Sequence, residues 1–187
     1  MSERFAHAFR RFDRVELGIC RCLNRSSGVA AVRRLFSLAS LLGDGWFWYA
    51  LIALLPFMYG REGLAAAVQM GLTSFVGIAA YKLVKNRAVR ERPYITHHAI
   101  SCITAPLDRY SFPSGHTLHA VCFTLLMTSH FPQWMASLCL FALLVALSRI
   151  ALGLHYPTDV AAGAVLGAVI GGASLETGKL LAALFAA

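Results

Sequence analysis

The sequence predicts an all-α fold, in which five or six helices cross a membrane as a bundle and carry one long polar loop. Of the 187 residues, 58% are hydrophobic and 14% are charged, which is far more apolar than a soluble domain of this size. Four stretches approach or exceed the roughly 20 apolar residues with which a helix crosses the hydrocarbon. A fifth is shorter and opens with aromatic side chains, which favour the membrane interface. The chain is therefore expected to be an integral membrane protein.

The predicted spans occupy the chain from Trp46 onward. They are residues 46–59, 64–84, 115–130, 134–154 and 157–187. Because only residues 131–133 separate the third span from the fourth, these two helices are expected to be antiparallel neighbours. The last span carries Gly163, Gly167 and Gly171 at intervals of four. This stripe of small residues predicts close packing against another helix.

The first 45 residues form a basic segment that is expected to lie at the membrane surface. Its arginines stand at positions 4, 10, 11, 14, 21, 25, 33 and 34. Residues 32–42 are apolar but too short to cross, and the Gly43-Asp44-Gly45 that follows would be costly at mid-bilayer. This stretch predicts an interfacial helix, with a sixth span as the alternative. The first thirty residues lack the apolar core of a cleavable signal peptide, and residues 1–187 are expected to form one membrane-embedded domain.

Charge and cysteine content argue against several classes of protein. The formal net charge is +8, but the basic excess lies in the N-terminal segment and just after the second span, so no nucleic-acid partner is expected. The five cysteines have irregular spacing, and two of them fall within apolar stretches. They indicate neither a disulfide framework nor a zinc site. We predict no metal and no cofactor.

One long polar stretch, residues 85–113, follows the second span and begins with a pair of cations. Long loops on a rigid scaffold are where binding and catalysis concentrate. Lys85 and Arg92 lie seven positions apart, so a continuing helix would place them on one face about 10 Å apart, with side chains that converge on an anion. Pro93 would end that helix at Arg92. Alone, the pair is more typical of cytoplasmic charges beside a span.

A second polar group precedes the third span. Ser114 is a natural N-cap, and the free N–H groups of the first helical turn form a ready anion site. Gly115 would let a phosphate oxygen approach the backbone, and His116 could hand a proton to a leaving oxygen. The alternative is an ordinary capped helix with one interfacial histidine.

A third polar group joins the last two spans. Arg149 lies near the end of one span, and Asp159 lies in the first turn after Pro157, a favourable first helical residue. A tight connection would bring both toward His155. A carboxylate four positions after a histidine can hold one ring nitrogen protonated and leave the other free to attack. The alternative is a histidine and an aspartate that satisfy one another in a loop.

Together, these groups match in order and spacing the three signature motifs of the type-two phosphatidic acid phosphatase superfamily, which the chain resembles over residues 85–159. The matching segments are Lys85 to Arg92-Pro93, Pro113-Ser114-Gly115-His116, and Ser148-Arg149 to His155 to Asp159. The resemblance implies metal-independent hydrolysis of a lipid phosphate or diphosphate, with His155 as the nucleophile, Asp159 fixing its tautomer and His116 as the acid. The implied phosphate-binding residues are Lys85, Arg92, Ser114, Gly115 and Arg149.

The resemblance leaves the substrate and the membrane side open. Candidate substrates are undecaprenyl diphosphate, phosphatidic acid and phosphatidylglycerol phosphate, and the expected partners are the bilayer and this lipid. A phosphotransferase with the same phosphohistidine and a non-catalytic transport or assembly protein are the alternatives. The expected location is the cell (inner) membrane. Two spans before Lys85 would place the arginine-rich N-terminus and the site on one cytoplasmic side, whereas a span at 32–42 would place the site outside.

Four further side chains could line a substrate pocket. They are Tyr94, His97, Tyr110 and His119. Each has an ordinary alternative, since the tyrosines could anchor at the interface, His97 could lie in a solvated loop, and His119 could bond within its own helix. Cys102 near His97 suggests zinc, but the spacing and a fourth ligand are lacking.

Overall fold

Helices make up the protein, which we describe from a computed structural model covering residues 3–106 and 108–186, with side chains for residues 14–106, 108–181 and 183–184. Within these ranges no strand occurs, which confirms the all-α fold class. The side chains of Arg4, Arg10 and Arg11 lie outside the described residues. The helices are α1 Glu3–Ser26, α2 Ala30–Gly43, α3 Trp46–Lys85, α4 Pro93–Thr96, α5 Gly115–His130, α6 Met135–Ala151 and α7 Pro157–Ala186, with a 3₁₀ turn at Pro132–Trp134 before α6.

Three segments in the described part of the chain are long and apolar enough to cross a membrane. They are Trp46–Lys85, Pro132–Ala151 and Pro157–Leu181. Large apolar side chains on their outer faces are exposed, for example Phe57 and Phe75 on α3. A continuous apolar exterior of this kind is stable against lipid and not against water. The chain is an integral membrane protein.

Helix α3 is a hairpin of two arms rather than one straight rod. Gly60 has φ 57°, a conformation that glycine adopts with little strain. A Cβ on Gly63 would lie 2.0 Å from the carbonyl oxygen of Leu55, although a straight helix would separate these residues by about 12 Å. The break falls at Gly60, within the four residues that separate the first two predicted spans, 46–59 and 64–84.

Helix α5 lies at the centre of the bundle and packs closely against α7. A Cβ on Gly163 would lie 2.4 Å from the carbonyl oxygen of Ser114, and one on Gly167 would lie 2.3 Å from that of Leu118. The glycine stripe therefore serves helix packing, as predicted. This packing sets the start of α5 beside the start of α7, where the Ser114 N–H donates to the Asp159 carbonyl oxygen at 2.9 Å.

Replacing Gly167 by alanine is expected to destabilise the fold, because the added methyl group would meet the Leu118 backbone of α5. Overpacking of this kind costs about 1–3 kcal/mol, and thermal unfolding of the detergent-solubilised protein would measure it. Gly172→Ala on the same helix is the matched control, because a Cβ there meets nothing within 4 Å. Equal melting temperatures for the two variants would contradict the packing role of the stripe.

Helices α1 and α2 pack against the end of the bundle where α3 finishes and where α5 and α7 begin, which we call the site end. The Asn24 side-chain amide of α1 donates to the carbonyl oxygens of Ala151 and Ser101, each at 2.9 Å. Ser27, before α2, donates its hydroxyl to Ala151 at 3.2 Å, while Asp44, after α2, lies 3.4 Å from His116. Both ends of α2 thus lie at the site end. The sequence predicted a helix within 32–42 but did not predict α1 as a helix.

The chain leaves the helix earlier than predicted after the second arm of α3. Helix α3 ends at Lys85, and Arg92 is the residue that precedes α4. Lys85 and Arg92 therefore do not share a helical face. They still converge, because the loop between them turns back and brings both side chains to one carboxylate.

Candidate active site

The predicted site residues come together at the site end, each at the end of a helix or in a connection. Lys85 closes α3, Ser114 caps α5 with its side chain accepting from the Thr117 N–H, and Arg149 lies in the last turn of α6. His155 lies in the connection from α6 to α7. The predicted residues that are buried here are Lys85, Arg92, Ser114, His116, Arg149, His155 and Asp159.

Asp108, a loop residue, forms ion pairs with two of the cations that are predicted to bind phosphate. One carboxylate oxygen lies 2.7 Å from Lys85 Nζ and 2.7 Å from Arg92 Nη2. The other accepts from the Tyr81 hydroxyl at 2.6 Å. Burial alone would raise the pKa of Asp108, but the hydrogen bonds from Lys85 and Tyr81 outweigh it and hold this pKa below its usual range. Lys85 and Arg92 are therefore arranged to bind an anion.

Arg92 connects this anion position to His155. Its Nη1 donates to the Leu154 carbonyl oxygen at 2.8 Å and lies 3.3 Å from His155 Nε2. Its Nε donates to the backbone oxygen of Asp108 at 3.0 Å. The guanidinium that binds the Asp108 carboxylate thus also contacts Nε2 of His155, the predicted nucleophile.

His155 and Asp159 lie face to face as predicted, but no hydrogen bond joins them, since His155 Nδ1 has no hydrogen-bond partner among the described residues. His155 Nδ1 lies 3.7 Å from Asp159 Oδ2, so the ring faces the carboxylate, and Asp159 Oδ2 also accepts from the Tyr156 N–H at 2.8 Å. Burial lowers the pKa of His155 to about 4, against the opposing effect of Asp159. The imidazole is therefore neutral at physiological pH, which is the form that can act as a nucleophile.

Arg149 is a buried cation whose hydrogen bonds are incomplete. Its Nη1 donates to the Ser40 hydroxyl of α2, while its Nε has no hydrogen-bond partner among the described residues. A buried charged donor without a partner is costly, and an anionic ligand at this position would satisfy it. Ser40, which holds the guanidinium, was not found from the sequence, because its contact with Arg149 is tertiary.

His116 lies on the side of the site that faces α2 and α3. Its Nε2 is 3.4 Å from Asp44 Oδ1, and burial raises the pKa of Asp44. A cleft of about 160 Å³ opens beside this pair. Its lining residues include Asp44, Trp48, Tyr49, Tyr81, His116 and His119. The cleft offers a mostly aromatic surface next to the predicted proton donor.

Arg90 and Glu16 belong to the site although the sequence did not reveal a role for either. Arg90 donates to Asp159 Oδ1 at 2.7 Å and to Glu16 Oε2 at 2.8 Å. Arg90 stood out only as one of several cations, and Glu16 as one acid in a basic segment. Their pairing joins residues 74 positions apart, which no local pattern encodes.

The remaining predicted side chains have other contacts. Tyr94 packs in the apolar clusters that contain Ile100 and Leu152, and His97 follows α4. His119 Nδ1 lies 2.9 Å from the Gly115 carbonyl oxygen of its own helix, and the ring also lines the cleft. Arg109 lies 5.9 Å from the centre of the Tyr110 ring.

Gly115 makes room for the Tyr81 ring. A Cβ at this position would lie 2.9 Å from the Tyr81 ring, so the ring covers the start of α5. Tyr81 in turn accepts from Lys85 Nζ at 2.6 Å and donates to Asp108. A small residue at position 115 therefore lets Tyr81 reach the cations.

Among the described residues, no group of three or more histidine, cysteine, aspartate or glutamate side chains is arranged to hold a metal ion. Cys102 is exposed, and its sulfur donates to the Thr104 carbonyl oxygen. The charged side chains that contact Asp108 at the anion position are instead two cations, Lys85 and Arg92, and Arg149 is a third buried cation at the same end of the bundle.

Comparison with known proteins identifies the family. The model of the PAP2 superfamily matches residues 63–179. The chain belongs to the PAP2 superfamily. This match includes all three motif segments and confirms the resemblance drawn from them. As a PAP2 protein with relatives that are phosphatases, the chain is an enzyme of the phosphatase class.

Relatives of this PAP2 chain are phosphatases of membrane lipids. It is 37% identical over 130 residues to the decaprenylphosphoryl-5-phosphoribose phosphatase of Mycobacterium tuberculosis, with 68% of each chain covered. It is 32% identical over 124 residues to the undecaprenyl-diphosphatase BcrC of Bacillus subtilis, covering 66% of this chain and 64% of that one. The crystal structure of Aquifex aeolicus LpxE superposes with a TM-score of 0.70 at 26% identity, over 86% of this chain and 94% of that one.

Proposed function

We propose that the chain hydrolyses the phosphate or diphosphate group of a membrane lipid, without a metal ion, through a phosphohistidine at His155. The observation that carries this proposal is the position of Arg92. Its guanidinium binds a carboxylate at 2.7 Å and lies 3.3 Å from His155 Nε2. A phosphate in place of that carboxylate would lie beside the attacking nitrogen.

The first step transfers the phosphoryl group to the enzyme. His155 Nε2 forms a bond to phosphorus while the bond from phosphorus to the leaving oxygen breaks, and the electron pair leaves with that oxygen. His116 donates a proton to it. Asp159 faces Nδ1 and stabilises the positive charge that develops on the ring. In the second step, water attacks the phosphohistidine, His116 takes its proton, and phosphate is released.

The cations stabilise the charge on the phosphoryl oxygens in both steps. Lys85, Arg92 and Arg149 supply three positive charges, of which Arg149 has an unpartnered Nε, and the Ser114 hydroxyl and Gly115 N–H lie at the start of α5. Fixed donors aimed at the transferring group account for most of the catalysis of phosphoryl transfer. Such an arrangement can take the place of a divalent ion.

A substrate phosphate must displace the Asp108 carboxylate, because both need Lys85 Nζ and Arg92 Nη2. Replacing Asp108 by asparagine is therefore expected to tighten competitive inhibition by inorganic phosphate, by about tenfold for one removed negative charge close to the anion. The inhibition constant would be measured with a soluble phosphate ester as substrate.

Glu91→Gln is the matched control for Asp108→Asn, since it neutralises an exposed carboxylate of the same loop. It is expected to leave the inhibition constant unchanged. Weaker inhibition by phosphate in Asp108→Asn would show that the carboxylate organises the cations during the reaction and is not displaced.

The lipid class follows from where the site lies. The site end contains the last residue of one span and the first residues of others, so a lipid tail can stay in the bilayer while its head group reaches His155. Undecaprenyl diphosphate, phosphatidic acid and phosphatidylglycerol phosphate are the proposed candidates. The similarity to a decaprenylphosphoryl-5-phosphoribose phosphatase and to an undecaprenyl-diphosphatase supports the first. Phosphate release from a panel of purified lipid phosphates tests this choice. Transfer of the phosphate to a second lipid, with no free phosphate, would identify a phosphotransferase instead.

The two arms of α3, together with α5, α6 and α7, are proposed as five spans of one domain. Helix α2 has 14 residues, or about 21 Å, and both its ends contact the site end, which supports an interfacial position. Because the two arms of α3 separate it from Lys85, the N-terminal segment lies on the same side of the membrane as the site. The basic charge of this segment favours the cytoplasmic side of the cell membrane. Labelling of an engineered cysteine in loop 94–110 from each side tests this orientation.

A further inference from the structure

Glu16 is a carboxylate of α1 that is buried at the start of α7. It is 4% exposed, and its Oε1 accepts from the Thr158 N–H at 2.9 Å and from the Thr158 hydroxyl. The N–H groups of a first helical turn have no partner within their own helix. Glu16 therefore caps α7 from a different helix and fixes α1 against it.

Arg90 links Glu16 to Asp159. Its Nη2 donates to Glu16 Oε2 at 2.8 Å, and its Nη1 donates to Asp159 Oδ1 and to the Thr158 hydroxyl, each at 2.7 Å. The guanidinium lies 3.9 Å from the centre of the Tyr156 ring, a favourable cation–π distance. Arg90 is thus held from several sides in one orientation.

The contact with Arg90 determines which oxygen of Asp159 faces His155. Arg90 engages Oδ1, while Oδ2 lies 3.7 Å from His155 Nδ1 and accepts from the Tyr156 N–H. Asp159 is fully buried, so water cannot take over the role of Arg90. Rotation of the carboxylate would move Oδ2 and its negative charge away from His155 Nδ1, which has no hydrogen-bond partner among the described residues.

We propose that Glu16 and Arg90 are positioning residues, which hold the Asp159 carboxylate so that it orients His155 for attack. This inference rests on the proposed function and deepens it. The N-terminal helix is then part of the catalytic machinery, because one of its side chains sets the geometry of the nucleophile.

Arg90 does not act as a fourth phosphate-binding cation. Its donors are directed to Glu16, Asp159 and Thr158, whereas the anion position is formed by Lys85 and Arg92 around Asp108. A positioning role and a phosphate-binding role predict different kinetics. The first lowers kcat and leaves phosphate binding intact, while the second weakens phosphate binding.

The experiment measures kcat, KM and the inhibition constant of inorganic phosphate for Glu16→Gln and Arg90→Lys in the full-length protein. Displacement of a catalytic group by about 1 Å costs roughly 100-fold in rate. We expect kcat to fall by about 100-fold in Arg90→Lys and by about tenfold in Glu16→Gln, which keeps the shape of the side chain. KM and phosphate inhibition are expected to change by less than about twofold.

Matched controls are available in the same loop. Glu91→Gln and Arg87→Ala each remove one exposed charge, and both are expected to retain the kcat of the unmodified enzyme. A comparable loss in the controls would indicate a general electrostatic effect and would overturn the proposal.

A double-variant test asks whether Glu16 acts through Asp159. In an Asp159→Asn background, Glu16→Gln is expected to cause no further loss of kcat, because the carboxylate that it positions is already gone. If the losses of kcat from the two substitutions multiply, the proposal is overturned. Weaker inhibition by phosphate, or loss of folding, in both single variants would also overturn it. Phosphate release by His155→Ala is a separate measurement, so a failure of the histidine mechanism itself can be distinguished from a failure of this inference.

Discussion

Replacing His155 by alanine is expected to reduce phosphate release from a lipid phosphate by about 10⁴-fold or more, as does removal of the nucleophile in other covalent mechanisms. The physical reason is that Nε2 is the atom that bonds to phosphorus, and no other ring nitrogen contacts Arg92 in the described structure. Initial rates of phosphate release in detergent would measure the loss. Thermal unfolding would confirm that the variant is folded.

His98→Ala serves as the control for His155→Ala, because His98 is an exposed histidine of the loop. It is expected to keep full activity, and a chelator is expected to leave the rate of the unmodified enzyme unchanged. Full activity in His155→Ala, together with inhibition by a chelator, would contradict the histidine mechanism and indicate a metal-dependent one.

Replacing His116 by alanine is expected to lower kcat/KM for an alkyl lipid phosphate by about 10²–10⁴-fold, the usual contribution of a general acid. The loss should be much smaller for p-nitrophenyl phosphate, because its leaving group departs without a proton. The contact between His116 and Asp44, at 3.4 Å, places the ring beside the cleft where a leaving group would lie. The quantity kcat/KM is used because it reports the first chemical step.

The comparison between the two substrates separates a proton donor from a phosphate ligand. His155→Ala is expected to lose activity equally on both substrates, since the nucleophile is needed for each. In His116→Ala, the second step is also slowed, so a burst of p-nitrophenol should precede the steady state. An equal loss of kcat/KM on both substrates in His116→Ala would contradict its role as the acid.

Local sequence signals predicted the helical framework well, because each rests on chemistry within a few residues. Ser114 caps α5 and Pro157 begins α7, as their types indicate. The glycine stripe predicted close helix packing, which α7 makes against α5. The hairpin at Gly60 lies in the short gap between the first two predicted spans. The chemistry of the motif residues remains a prediction, because it rests on the resemblance of their order and spacing to a known family.

Contacts between distant segments could not be predicted in this way. Asp108, Asp44 and Glu16 each approach a site residue from a different part of the chain, and their spacing from it carries no period. The route from Lys85 to Arg92 was also mispredicted, since α3 ends at Lys85 and the loop, not a helix, brings the two cations together. Helix α1 was missed because its many charges hid a helix that packs through a few buried side chains, among them Glu16, Cys20 and Asn24.

The stereochemistry at phosphorus tests the central claim most directly. A lipid phosphorothioate made chiral at phosphorus with two oxygen isotopes would be hydrolysed in water that carries the third isotope, and the configuration of the released thiophosphate would be determined. A phosphohistidine at His155 requires two in-line displacements, each with inversion, so the account predicts overall retention of configuration. Inversion would mean that water attacks the substrate directly, and it would contradict the proposal that His155 is the nucleophile.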